Sequence, residues 1–264
     1  MAIKSRFRKY GAFISLAARQ AITNKTVLCG GIFLLLILLL TYNQLWTVIG
    51  KDSADPSINA TFLWYLLFGE LIILSAPKVE RILEQDIKSG TLAYYLNKPV
   101  SFFMMRFCEN LSLMSINFVS LGLAGTLTAW LLTPQTPFTW PQFPLIVSLV
   151  YLSSLINLLL YTAVGFSSLW LEHTKTLAMA VQRLAFIFGG AIFPLSIYPE
   201  WFVDIARWTP FYSLYYLTIK LSYDFSAADV SRALGLNCLW LAFIIGFIIW
   251  AYRTMQKRVN VYGG

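Results

Sequence analysis

Glu70 and Arg183 are the two ionisable residues that fall inside long apolar runs of this sequence. Each lies about seven residues from one end of its run, which at ~1.5 Å per helical residue places both at a depth of roughly 10 Å. A lone charge near the centre of a spanning helix costs about 2.5–3.5 kcal/mol even on the gentlest scale. Equal depth and opposite sign predict that Glu70 and Arg183 pair within a helix bundle, near a cavity open to one side. Two other arrangements stay open: Arg183 reaching out to the lipid headgroups, and Glu70 protonated or hydrogen-bonded to Asn or Ser. Glu109 lies nearer a mouth of its run and reads as solvated.

Other reactive side chains show no catalytic spacing. The sequence contains no HExxH, no GxSxG and no Asp/His cluster within its apolar runs, so no catalytic residue is assigned. Cys29, Cys108 and Cys238 are far apart and read as small buried hydrophobes. The single histidine, His173, has no metal-ligand companion and reads as a solvated loop residue. No metal site is expected.

The elements that carry these residues follow from composition. Of 264 residues, 58% are hydrophobic and 12% charged, too few charges for the polar shell of a soluble domain. Six spans are expected in one transmembrane domain covering 1–264: 26–49, 59–77, 109–132, 145–171, 176 to about 195, and 233–252. Segment 1–25 leads in, 26–252 forms the bundle and 253–264 is a tail. Six crossings put both termini on one side. That side holds sixteen Lys and Arg, and the other holds four (Lys51, Arg207, Lys220 and Arg232). The bias predicts cytoplasmic termini. It also explains the net charge of +8 without nucleic acid.

Three segments outside the spans carry pattern. Before the first span, Ile3, Phe7, Tyr10, Ile14, Ala17 or Ala18, and Ala21 recur at helical spacing among basic residues. This predicts an amphipathic helix on the cytoplasmic membrane surface, in contact with lipid. After the second span, Val79, Ile82, Leu83 and Ile87 mark one face of a short helix. Glu80, Arg81, Glu84, Asp86 and Lys88 lie elsewhere around it, and Ser89-Gly90 supplies a stop. A connector needs only a few residues, so this charged loop reads as a docking surface. Finally, 189–202 reads GGAIFPLSIYPEWF. Its glycines and prolines end the fifth helix early, and Pro199 starts a short new one. Irregular backbone at membrane depth requires cover by protein or water, which predicts a re-entrant or interfacial helical pair with Trp201 and Trp208 at headgroup depth.

The order of these parts resembles the permease subunits of type-2 ATP-binding-cassette exporters, over nearly the whole chain. The resemblance rests also on DIKSGTLAYYLNKPVS at 86–101 and on FPLSIYPEW at 193–201 with Pro210 after it. It implies an all-α membrane protein with a cytoplasmic coupling helix after the second span and an outer re-entrant region between the fifth and sixth. Residues Glu80, Arg81, Glu84, Asp86 and Lys88 would contact an ATPase, while Gly90, Thr91, Leu92 and Pro99 would shape the return to the membrane. Pro194, Leu195, Ser196, Pro199, Trp201 and Pro210 would form the outer gate region.

The sequence has no GxxxxGK[ST] loop, so ATP and Mg would bind a partner ATPase, present in two copies. No cofactor is expected on this chain. A second permease chain, identical or related, and membrane lipids complete the partners, and the plasma (inner) membrane is the implied location. An ATP-independent carrier or channel is the alternative. It accommodates the intramembrane charges but leaves the elaborate second loop unexplained.

Overall fold

The computed structural model of the chain describes residues 2–49, 57–96 and 101–262, and the regular structure among them is entirely helical. Five helical stretches are long and apolar enough to cross a membrane: Lys25–Val48, Asn59–Lys88, Phe102–Leu132, Phe143–Leu169 and Ala227–Thr254. These are the helices of a multi-pass membrane protein. They belong to α2 (Lys25–Ile49), α3 (Ser57–Ser75), α6 (Phe102–Leu132), α7 (Phe143–Phe166) and α11 (Ala227–Tyr262); the second stretch takes its apolar part from α3 and runs on into the charged helix at Val79–Lys88. The expected fifth span is a shorter helix, α8 (Thr174–Phe188). Its 15 residues reach only about 22 Å, short of a hydrocarbon core of roughly 30 Å.

Helix α3 is the axis of the bundle. Trp64, Tyr65 and Phe68 are fully buried on it, as are Leu63, Leu66 and Leu67. It packs on α2, α6 and α7. Close approach is set by small residues: a Cβ on Gly125 of α6 would collide with Leu67, as expected where helices associate without a hydrophobic driving force. By contrast α2 and α11 lie at the rim, with Phe33, Val48, Leu239 and Phe243 exposed. The loop 133–142 folds back over one end and inserts Phe138 against Trp64, with ring centroids 5.0 Å apart and edge-on.

Short helices fill the rest. Helix α1 (Ala2–Thr23) packs on α6. Its buried side is Ala17 and Ala21, while Ile14, Leu16 and Ile22 are exposed. The expected single apolar face is thus divided: small residues seat α1 on the protein, and larger ones point away. Ser112 Oγ of α6 donates to Ile14 O at 2.9 Å. The side chains of residues 2–9 lie outside the described residues.

After α3 the chain turns at 76–78 into α4 (Val79–Lys88), and then into α5 (Thr91–Leu96). Five charges in ten residues keep α4 out of hydrocarbon. Gly90, at φ 72°, closes it in the left-handed region where glycine is favoured.

Helix α9 (Glu200–Arg207) follows the break after α8. The next helix, α10, begins with a π-helical stretch, Tyr212–Leu217, and ends as Thr218–Lys220. Of the three cysteines only Cys108 is buried; Cys29 and Cys238 are exposed. They lie on α2 and α11, the rim helices, so their apolar sequence surroundings marked an exposed apolar surface rather than a core.

Candidate functional site

The charged loop expected as a docking surface is a helix anchored at both ends to the bundle. Helix α4 lies in a notch on α7, where a Cβ on Gly165 would sit 2.7 Å from Leu83 Cδ1 and 3.1 Å from Glu80 Cα. Val79 and Leu83 are buried there.

Two acids expected on the outer side of α4 turn inward. Asp86 is 7% exposed and accepts a bidentate pair from Arg106 of α6, at 2.7 Å to each carboxylate oxygen. Arg106 also donates to Glu109 at 2.8 Å, so Glu109 is an ion-pair partner rather than merely solvated. Glu80 is buried too, with the Arg81 guanidinium 3.8 Å away, and burial pushes its carboxyl pKa up.

Glu84 makes the second tether. Its Oε2 accepts from Thr174 N at 2.9 Å and Thr174 Oγ1 at 2.6 Å, so it caps the free N–H groups at the start of α8. Its Oε1 accepts from Lys88 Nζ at 2.5 Å and lies 3.3 Å from His173 Nδ1. The Lys88 ammonium and the Thr174 donors hold the Glu84 carboxyl down at about 2. His173 is exposed, as a loop residue should be, but it also stands at the N-cap of α8 beside this cluster.

What α4 leaves to solvent is a polar groove formed with Lys175 and Thr176, in which Arg81, Gln85 and Lys88 are exposed. Thr91 Oγ1 lies 2.7 Å from Ser89 Oγ, tying the turn after α4. The Leu92 side chain and Pro99 lie outside the described residues.

Glu70 and Arg183 are not brought together. Glu70 is 7% exposed on α3, whereas Arg183 is exposed on α8. Among the described residues no ion pair joins them. The reason is one of packing: equal depth fixes height but not neighbours, and α8 packs chiefly on α4 and α7, with Arg183 on its exposed side. Arg183 shares a stripe with Thr176, Met179, Ala180 and Ile187, all exposed.

Deeper in the bundle than α4, the break after α8 is built by contact with the middle of α3. Gly190 has φ 57°, and its carbonyl accepts from Tyr65 Oη at 2.5 Å. A Cβ on Gly69 would lie 2.8 Å from Ala191 O. Pro194 and Leu195 are buried and Ser196 is exposed. Pro199 occupies the N-cap of α9, and Pro210 stands at the first turn of the helix it was expected to interrupt, where a missing N–H costs nothing.

Trp201 and Trp208 are 65% and 86% exposed. The π-helical stretch is buried throughout. There Tyr215 Oη donates to Asn157 Oδ1 at 2.9 Å, and Asn157 Nδ2 donates to Ile72 O at 3.1 Å. A polar chain thus links α10, α7 and α3.

Arg106, Thr174, Gly165, Tyr65, Asn157 and Tyr215 were missed as site residues. Arg106 had counted only as a charge for topology. The signal available was its position twenty residues after an acid, across a helical hairpin. No family model matches this chain, and no curated protein matches it either.

Proposed function

We propose that this chain is the membrane-spanning permease subunit of an ATP-driven exporter. It forms a pathway with a second permease chain, identical or related, and is driven by two copies of a separate ATPase. The observation that carries this reading is the mounting of α4. A connector between two spans needs no anchors, yet α4 is clamped to α6 through Asp86–Arg106 and to α8 through Glu84–Thr174. Force applied to its exposed residues Arg81, Gln85 and Lys88 passes directly to two bundle helices. That is the mechanical requirement of a chain that hydrolyses nothing itself.

A second feature supports the paired pathway. The exposed stripe on α8 carries Thr176 and Arg183 among small and apolar residues. An arginine facing hydrocarbon is costly, whereas one facing a water-filled path or a second chain is not. In this reading α8 and the 189–222 region complete a sixth crossing with an outer re-entrant gate, both termini are cytoplasmic, and ATP and Mg reside on the partner.

Co-purification tests the reading. A soluble protein with a Walker A lysine, encoded beside this chain, is expected to co-purify with it and to lose the association on Arg81→Glu with Lys88→Glu. Solute movement by the purified chain alone, without nucleotide, would instead establish the ATP-independent carrier.

A further inference from the structure

A groove of about 680 Å³ opens where the end of α1, the start of α2, the α3–α4 turn and the first half of α6 meet. Its lining changes character along its length. Lys78, Arg106 and Glu109 stand at one end, beside the turn into α4 and within the first turns of α6. Leu28, Leu74, Leu113 and Leu121 line the remainder, deeper along the spanning helices. A polar mouth at a helix boundary leading into an apolar trough matches an amphiphile standing in the bilayer. A soluble metabolite has no use for the trough.

The charges narrow the occupant. Lys78 is exposed and enters no ion pair among the described residues. Arg106 is already matched by Asp86 and Glu109, at 2.7 and 2.8 Å. Asn110 also lines the groove; it is 3% exposed, and its Oδ1 has no hydrogen-bond partner. An unsatisfied buried acceptor costs about 1–3 kcal/mol, so a donor supplied by a ligand is favoured. One free cation beside a carboxylate and an open carbonyl complements a headgroup carrying both phosphate and ammonium.

We propose that this groove holds one membrane phospholipid of the phosphatidylethanolamine class. The phosphate lies against Lys78 and the ammonium against Glu109 and Asn110, with an acyl chain along the Leu28–Leu121 wall. The consequence reaches α4. Glu109 and Asp86 share Arg106, so an ammonium that draws on Glu109 strengthens the hold of Arg106 on Asp86. The lipid then stiffens the mounting of α4, and bilayer composition tunes it. None of this requires the exporter reading.

The full-length chain, purified in detergent, is titrated with phosphatidylethanolamine or phosphatidylglycerol and bound lipid is counted by native mass spectrometry. One phosphatidylethanolamine is expected, retained several-fold better than phosphatidylglycerol. Lys78→Glu lowers retention about fivefold. Leu113→Trp, which fills the trough, lowers it about tenfold or more. Glu109→Gln removes the preference between the two lipids, and Lys175→Glu, outside the groove, changes nothing. If Leu113→Trp does not yield a monodisperse protein, Lys78→Glu and Glu109→Gln decide the matter. Equal retention of the two lipids by the unaltered chain, or retention indifferent to Lys78→Glu, would overturn the proposal.

Discussion

The α4 end of this bundle and the bundle interior are held by different kinds of bond. At α4 the anchors are charged: Asp86–Arg106–Glu109 and Glu84 with Lys88 and Thr174. In the interior the anchors are shape and buried neutral hydrogen bonds: Gly69 against Ala191, Tyr65 on Gly190, Tyr215 on Asn157. Partly exposed ion pairs can be loosened by salt, by pH or by a competing partner. A buried phenol–amide bond and a glycine contact respond to none of these. The difference fits a molecule that is pushed at one end and must keep its geometry within.

Glycine substitutions separate the two regions most sharply. Gly69→Val drives a side chain into the Ala191 carbonyl and should cost about 1–3 kcal/mol or more, seen as a lower melting temperature and a poor yield of monodisperse protein. Gly165→Val meets the side chain of Leu83 and the backbone at Glu80, on a helix whose tethers to α6 and α8 are charged and partly exposed. It should melt nearer the unaltered chain while amides of 79–88 exchange hydrogen faster. Equal thermal damage from both would erase the distinction.

Hydrogen bonds give the next effect. Tyr215→Phe leaves Asn157 Oδ1 without its donor and should cost about 1–2 kcal/mol independent of salt. Arg106→Ala should cost about 1 kcal/mol, with a cost that shrinks as salt rises and is partly restored by adding Asp86→Asn. Thermal melts across a salt series measure both.

The smallest effect is in pH. The Glu84 carboxyl sits at about 2, below its ordinary value of 4.5, so the folded state favours its charged form. Its contribution is complete above about pH 4.5 and is lost as pH falls toward about 2. Glu84→Gln should therefore raise hydrogen exchange of 79–88 at neutral pH and flatten its acid-side rise, the two chains converging as pH falls toward about 2.

How much of this was legible in the sequence depended on whether a feature is local. Helix α4, its Gly90 stop and the break after Phe188 could be read because glycine, proline and helical spacing act within a few residues. Five of the spans were legible because apolar length is itself the physical requirement. What stayed hidden depends on helix rotation and partner. Asp86 looks like a solvent-facing acid until α6 places Arg106 opposite it, and Glu70 and Arg183, matched in sequence depth, lie on helices that pack chiefly on others rather than on each other. The seating of α1 on α6 was hidden in the same way, since alanine at helical spacing serves a protein surface as well as a lipid one.

The central claim is that α4 is the surface through which the cell interior drives this chain. The most direct test is the sidedness of position 85, which is exposed on that helix. Gln85→Cys is introduced after Cys29, Cys108 and Cys238 are replaced by serine, and a membrane-impermeant maleimide is applied to intact cells and to inverted vesicles. Labelling in inverted vesicles alone is the predicted result; labelling from the outside of intact cells would contradict the account.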